Sequence, residues 1–461
     1  MRASVAANLL YFPATRLGGE RVREYLKEYR RHDGMTEDEL TAYQSSRLRD
    51  IVSLARHDTQ HFGLSGESTR SDLTSERPEL AGIPFLTKEI LRESPEVCIA
   101  RSFRGRVEKK TTSGSTGHPV TVRKDSDALA RERAATWRSY AWAGVSVAAP
   151  QALLWGQPYS FAGRLRATAL DFLANRRRLS MFGVTDQSLA NYYARMVRFE
   201  PEYIYGYVSA VVTFLEYVRA RNWVLPKSVR CIITTSELLD PDTRRHIENL
   251  SGLPVFNEYG CGEVGSIAHD CEFGRLHVMS DNLVVECVPV QGAPEGMGEF
   301  VVTDLHNRAM PLLRYRLGDL GRLSTRSCEC GRPYPVIERI VGRAYDVVFD
   351  AAGRSFHPEA VLYVFESLRR QGVTFPPFQA VQRVRGELEI VFQTDEDTPD
   401  CTKSAVLAEF NELIGGGLSV TFGATHRLPR ERSGKLRVVK SELAGQRGIG
   451  SVAVQSGDVE R

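Results

Sequence analysis

Residues 111–119 read Thr111-Thr112-Ser113-Gly114-Ser115-Thr116-Gly117-His118-Pro119, five hydroxyls and two glycines closed by a proline. Such a turn can turn backbone N–H and hydroxyl donors onto one anion, because no bulky side chain stands in the way. A triphosphate suits it; composition alone leaves a polar surface loop as the alternative. It is not a Walker A loop, since the Gly-Lys-Ser/Thr ending is missing. A second group of residues offers metal ligands. Cys328 and Cys330 flank one residue in a Gly-Arg-Pro turn. Cys271 and His277 would complete a Cys₃His set of the kind that holds zinc, with His269 as an alternative fourth ligand. If Cys271 never meets that pair, the thiols are ordinary small hydrophobes.

These residues need a scaffold. Val22, Tyr25, Leu26 and Tyr29, then Leu48, Ile51, Val52 and Ala55, repeat at helical spacing, so residues 20–60 are predicted helical. Between 125 and 350, helical patterns such as 186–197 and 209–221 alternate with short β-rich runs at 152–155, 203–205, 229–234, 255–257 and 300–303. That alternation predicts an α/β fold with a substantial sheet. From Val347 the texture becomes a smaller α+β pattern, with strands at 347–350, 378–385 and 388–394 and helices at 358–370 and 402–414. The expected division is a large N-terminal domain, 1–342, and a small C-terminal domain, 343–461. Residues from about Gly445 are expected to fray.

The bulk numbers exclude several classes. With 461 residues, 42% apolar and 25% charged, the chain can bury a sizeable core. Its 60 basic and 57 acidic residues give a net charge of +3, which points to neither a nucleic-acid nor a membrane partner. Basic runs such as Arg176-Arg177-Arg178 and Lys109-Lys110 read as solvated faces. The apolar run from Val5 to Phe12 is shorter than the ~18 residues a membrane span needs, and Pro13 is expected to interrupt it. Eight cysteines in a chain of this size are not a disulfide framework, so a cytoplasmic location is expected.

The order of the motifs adds a resemblance. Residues 111–119 resemble the phosphate loop of the adenylate-forming superfamily, which includes acyl-CoA synthetases and adenylation domains. Further matches follow in family order. Thr235-Ser236-Glu237 stands where the family has its adenine-contacting segment, and Asn257-Glu258-Tyr259-Gly260-Cys261-Gly262-Glu263 resembles its Tyr-Gly-x-x-Glu motif. Tyr315-Arg316-Leu317-Gly318-Asp319 resembles Tyr-Arg-x-Gly-Asp, Arg339-Ile340-Val341-Gly342-Arg343 the hinge, and residues 429–435 the Pro-x-x-x-Ser-Gly-Lys ending. Ile83-Pro84-Phe85-Leu86-Thr87-Lys88 and the Cys-x-Cys turn are similar to the phenylacetate–CoA ligase and coenzyme F390 synthetase-like branch. The resemblance implies a large adenylate-forming domain with a mobile C-terminal lid that carries Lys435.

It also implies roles. A carboxylate attacks the α-phosphate of ATP, pyrophosphate leaves, and the acyl group passes to the thiol of coenzyme A. No general base is needed, so catalysis rests on positioning and charge neutralisation. Thr112, Ser113, Gly114, Ser115, Thr116 and Gly117 would grip the phosphates, and Glu263 would hold Mg²⁺. Ser236, Glu237, Glu258 and Tyr259 would bind the adenine side, and Asp319 and Arg343 the ribose. Lys435, with Glu263 and Thr116, would serve adenylation. Tyr205, Tyr207, Ser236 and Tyr259 would line the pocket of a small, aromatic carboxylic acid. In relatives the Cys/His set is thought to hold a structural zinc. Two departures stand out: His118 replaces a common lysine, and the hinge pivot falls at Tyr345 or Asp346. Loading a carrier protein in trans, or forming an amide-type product, is the alternative function, and a degenerate nucleotide-binding protein is the third. A homodimer is the expected assembly.

Overall fold

The computed structural model describes residues 2–63, 75, 77–111, 120–155, 161–181, 185–290, 296–343, 348–352, 355–356, 361, 364–365, 367–369, 371–396, 398–413, 417–429 and 437–443. The phosphate loop (112–117, with His118), Tyr345, Asp346 and Lys435 lie outside the described residues, as does the side chain of Arg343.

Helices α1 (Val22–His32) and α2 (Glu37–Asp58) occupy the predicted N-terminal helical region. A capping box starts α2: the Thr36 hydroxyl accepts from Glu39 N at 3.2 Å, and Glu39 Oε2 accepts from Thr36 N at 2.8 Å. Ahead of them, residues 3–17 form one helical run that passes through Pro13, contrary to expectation. A π-helical turn at Ala7–Tyr11 precedes the proline, with Phe12 N–H reaching back to Ala7 O. Widening the helix just before an imino nitrogen relieves the clash that normally breaks it.

Strands β1 (Val107–Thr111) and β2 (Thr121–Asp125) pair antiparallel, and in sequence the predicted phosphate loop lies between them. Helix α3 (Ser126–Trp142) follows at once, started by Asp125, whose carboxylate accepts from Asp127 N and Ala128 N. Then comes the predicted alternation: β3 (Gln151–Trp155), α4 (Phe161–Leu173), β4 (Arg176–Ser180), α5 (Asp186–Phe199), β5 (Tyr203–Tyr207), α6 (Val208–Ala220), β6 (Cys231–Thr235), α7 (Pro241–Ser251) and β7 (Val255–Cys261). The rest of this region is antiparallel: β8 (Gly265–Asp270), β9 (Leu276–Val278), β10 (Leu283–Pro289), β11 (Gly298–Asp304), β12 (Tyr315–Leu323) and β13 (Val336–Arg343).

Together β3 to β13 make one 11-stranded sheet in the order β10-β11-β12-β13-β9-β8-β7-β6-β5-β3-β4. Strands β4, β3, β5, β6 and β7 run parallel, and from β7 onward every pairing is antiparallel. One face of the parallel half packs on α5, α6 and α7 through residues such as Leu189, Val211, Phe214 and Ile247. The other face packs on α3, with α1 outside it. Helix α2 covers the antiparallel half with Leu48, Ile51, Val52 and Ala55.

The arginines of β4 are only in part a solvated face: Arg177 is exposed, and Arg176 and Arg178 are half-buried. β4 is an edge strand; Asp171 of α4 pairs with Arg176 Nε at 2.5 Å and Arg178 Nε at 2.9 Å, and Arg177 lies over Phe199. Charge on an edge strand discourages pairing with another chain. Beyond β13, a two-stranded piece, β14 (Val348–Phe349) with β15 (Ser355–Phe356), leads to a four-stranded sheet. Its strands are β16 (Phe378–Gln382), β17 (Glu387–Gln393), β18 (Ser419–Thr425) and β19 (Val439–Ser441), in the order β18-β17-β16-β19. Helix α8 (Asp400–Leu413) and helical residues Val361, Val364, Phe365 and Leu368 supply its separate apolar core. Among the described residues no helix is long and apolar enough to cross a membrane.

A buried ion cluster fastens α3 in place. Arg138, fully buried, places Nη1 3.1 Å from Asp33 Oδ1 and Nη2 2.7 Å from Asp281 Oδ2. His32 Nδ1 meets the other Asp281 oxygen at 2.5 Å. Removing one partner of a buried pair strands the other charge away from water. Arg138→Leu is therefore expected to lower unfolding free energy by about 3–5 kcal/mol in urea denaturation, and adding Asp281→Asn should recover part of the loss.

Candidate active site

The described residues of four motifs converge where β7 ends and the parallel pairing stops. Ligand crevices in open α/β sheets form at such places, beyond the carboxyl ends of the strands. Tyr259, near the end of β7, donates its hydroxyl to Asp319 Oδ2 of β12 at 2.7 Å. Glu263 lies in the β7–β8 turn, 5% exposed, and accepts from the Tyr315 hydroxyl at 2.8 Å. Asp319 is the register partner of Arg343, so the two positions assigned to the ribose stand opposite each other on β12 and β13. Gly260 permits the β7–β8 approach: a Cβ there would come 2.5 Å from Gly265 O. Ser236, just after β6, holds a left-handed φ of +68° at the mouth of the same crevice, an uncommon backbone state for a residue with a side chain.

The arginines of the Tyr-Arg-x-Gly-Asp segment are scaffold. Arg316 Nε bonds Glu299 Oε2 at 2.8 Å, and Gly318 N bonds Glu299 Oε1 at 3.1 Å. Arg314 is buried over the Phe85 ring and bonds Glu286 and Ile83 O. Leu86 pairs with Tyr315 as a β-bridge, and Lys88 Nζ reaches Leu317 O at 2.6 Å. The Ile83–Lys88 stretch thus braces the strand that carries Asp319. Glu237 also has a structural task. Its carboxylate accepts from Ser209 N at 2.6 Å and Ser209 Oγ at 2.9 Å, at the start of α6.

Tyr205 and Tyr207 of β5 do line one face with Trp155 of β3: Trp155 stacks on Tyr207 at 4.0 Å and on Tyr205 at 5.9 Å. Glu258 turns to this face and away from Tyr259. Its Oε2 accepts from Tyr140 and Tyr205, each at 2.9 Å. Burial raises its carboxyl pKa, against the lowering effect of those hydroxyls.

Cys271, His277, Cys328 and Cys330 come together, with ligand atoms all within 4.8 Å of one another. Cys330 Sγ is 3.2 Å from His277 Nε2, and Cys271 Sγ is 3.7 Å from Cys328 Sγ. His277 Nδ1 bonds Tyr334 O at 2.9 Å, which fixes the ring with Nε2 toward the thiols. Between the two histidines the geometry selects His277. His269 stands one strand away, paired in register with both Glu258 and His277.

Several positioning residues carry no motif of their own. Glu132 of α3 receives Lys110 Nζ of β1 on Oε1 and Lys124 Nζ of β2 on Oε2, both at 2.6 Å. So Lys110 is no solvated charge, and one carboxylate ties both strands of the phosphate hairpin to α3. Gly265, at φ +85°, packs its backbone against the same carboxylate; a Cβ there would meet Glu132 Cδ at 2.4 Å. The hairpin and the turn bearing Glu263 therefore share one anchor. The only trace in the sequence is the pair of lysines flanking the loop. Tyr140, Trp155 and Tyr315 are likewise indistinguishable from core aromatics until the strands pair.

Burial would raise the Glu132 carboxyl, but the two ammonium groups override it and hold the pKa at about 2. Glu132→Gln should cost about 3–5 kcal/mol at neutral pH, because Lys124 is left buried and charged. With the folded pKa depressed, the wild-type advantage is complete above the unfolded value of ~4.3 and fades as pH falls toward 2. Denaturation of both proteins from pH 7 to pH 2.5 checks this: the two stabilities should converge in acid.

No family model matches the chain. Among curated proteins, it is 26% identical over 440 residues to a phenylacetate–coenzyme A ligase of Thermus thermophilus, covering 87% of this chain and 96% of that one. A phenylacetate–coenzyme A ligase of Pseudomonas putida is 27% identical over 68% of this chain and 72% of its own length. The CapK protein of Staphylococcus aureus is 22% identical over 67% and 69%. Among solved structures, 2-hydroxyisobutyryl-CoA ligase in its postadenylation state superposes with a TM-score of 0.67 at 17% identity, over 89% of this chain and 91% of that one. In sequence the chain resembles the phenylacetate–coenzyme A ligases over most of its length, and its fold is that of the adenylate-forming acyl-CoA ligases.

Proposed function

We propose that the chain is an AMP-forming acid–thiol ligase: it activates an aromatic carboxylic acid with ATP, releases pyrophosphate, and transfers the acyl group to coenzyme A. The observation that carries this reading is the Tyr259–Asp319 hydrogen bond beside Glu263, which joins motifs 60 residues apart in the family's order. The relatives from Thermus thermophilus and Pseudomonas putida carry the name of a coenzyme A ligase, and the neighbouring 2-hydroxyisobutyryl-CoA ligase has been solved with its acyl-adenylate and with coenzyme A.

The acid's carboxylate is already the nucleophile, so the protein's part is to align it with the α-phosphate and to neutralise charge as pyrophosphate leaves. Thr112, Ser113, Ser115 and Thr116 at the hairpin tip would grip the phosphates, on a base that Glu132 keeps rigid. Asp319, oriented by Tyr259, would accept the ribose hydroxyls, with Arg343 opposite. Lys435, from the C-terminal domain that we place at 343–461, would bring a point charge to the α-phosphate and acyl oxygens. The buried oxygen donor Glu263, held by Tyr315, suits Mg²⁺, which when bound would offset phosphate charge. Three thiols and one imidazole, with the imidazole's other nitrogen bonded to a carbonyl, suit a closed zinc site of structural type.

Two measurements test the reading. Pyrophosphate release from ATP and Mg²⁺ should require an aryl or arylacetic acid, rise with coenzyme A, and fall about 10²–10³-fold in Lys435→Ala. Acid-dependent release indifferent to coenzyme A would move the acceptor to a carrier protein or an amine. Elemental analysis of untagged protein prepared without added metal should find one zinc per chain, lost in Cys328→Ser; a zinc-free wild type would dismiss the metal.

A further inference from the structure

The face that holds Trp155, Tyr205 and Tyr207 ends in hydrogen-bond acceptors. Tyr207 and Glu258 are both register partners of Thr235, so they point to one side at the carboxyl ends of β5 and β7. The wall is flat and aromatic, with Trp155 and Tyr207 4.0 Å apart and inclined by 25°. Its floor is not apolar. Glu258 is 7% exposed; the Tyr140 and Tyr205 hydroxyls both fall on Oε2, and the Ser266 hydroxyl is also turned to the carboxylate. A carboxylate has about four lone-pair sites over its two oxygens, so capacity for a further donor remains.

Beside it stands a second acceptor. His269, fully buried, pairs in register with Glu258 and packs on the same Tyr140 ring at 5.4 Å. Its Nδ1 bonds Asp270 O at 2.7 Å and is therefore the protonated nitrogen, which makes Nε2 an acceptor. Among the described residues that buried Nε2 has no hydrogen-bond partner. A buried acceptor without a donor is costly.

We propose that Glu258 selects the acid, so that the preferred substrate is an aromatic carboxylic acid whose ring bears a hydroxyl or amino group, donated to Glu258 while the ring lies against Trp155 and Tyr207. This rests on the ligase reading above and narrows its substrate. Phenylacetate, named for the curated relatives, has no donor on its ring. A site built to bond a substrate hydroxyl or amine discriminates strongly against the analogue lacking it, because the site's own polar groups are left unpaired.

The test compares kcat/KM for phenylacetate and benzoate with their ring-hydroxylated and ring-aminated forms, in wild type, Glu258→Gln and Glu258→Leu. The wild type should favour a donor-bearing acid by at least about 10²-fold, with the hydroxyl and amino arms naming the donor. In Glu258→Leu that ratio should collapse or invert. Glu258→Gln keeps size and a carbonyl acceptor for either donor, so it should retain part of the preference; it also stands in if the leucine variant fails to fold. Equal turnover of plain and donor-bearing acids by wild type would overturn the inference and leave the ligase intact. So would a preference unchanged in both variants. Absence of pyrophosphate release with every acid would instead remove the ligase reading, and this inference with it.

Discussion

Strand β7 must pair in parallel with β6 on one side and antiparallel with β8 on the other, and the site hangs from that constraint. A parallel strand sends its chain away through a crossover, whereas an antiparallel one returns by a tight turn. The reversal therefore puts a short turn, with Glu263 in it, at the mouth of a crevice built by crossover connections. Tyr259 and Glu258, adjacent on β7, face opposite sides because side chains alternate along a strand. One reaches Asp319 on the antiparallel half; the other sits under α3 with Tyr140 and Tyr205. The groups that we propose for the nucleotide and for the acid are thus separated by the thickness of a single strand.

Helix α3 makes the arrangement rigid, and it does so with residues spaced along its buried side. Glu132 holds the phosphate hairpin, Arg138 binds Asp33 and Asp281, Tyr140 holds Glu258, and Trp142 lies at 6.0 Å from the His277 ring of the Cys/His cluster. A shift of this helix would be felt at the β1–β2 hairpin, the Trp155–Tyr205–Tyr207 face and the Cys/His cluster together. Charge on a helix interior is costly, so two of its buried charges are spent on fastening it to elements remote in sequence.

The parallel half of the sheet was legible except at β4, whose arginines hid it, because its other strands are short apolar runs bounded by helical periods, as at 203–207 and 231–235. The antiparallel half was less so. Strands such as β12, with Arg316, Asp319 and Arg322 exposed to polar partners, have no apolar alternation that separates them from loop. Motif order gave the site residues that touch a reacting group by family habit, but not where their side chains turn. Glu237 caps a helix and Glu258 faces Tyr140 and Tyr205, and neither follows from adjacency to Ser236 or Tyr259. Glu132 was invisible for a different reason: its two lysines are 22 and 8 residues away, and only a hairpin brings them to one carboxylate. The Cys/His set was readable from spacing, while the choice of His277 over His269 needed the register of β8 and β9.

Glu132 on α3 and Glu258 on β7 show why seclusion from water alone does not tell a structural carboxylate from a recognition one. Glu132 is half-buried between two ammonium groups, and its pKa is drawn down to about 2. Its charge is balanced and both oxygens are engaged, so a third partner would gain little. Glu258 is held only by neutral hydroxyls, and burial drives its pKa upward. Hydroxyls can orient a carboxylate but cannot offset its charge, so desolvation is left partly uncompensated. A donor arriving from a substrate recovers part of that cost. The same imbalance that makes Glu258 unfavourable in the empty protein is what would make it discriminating in the filled one.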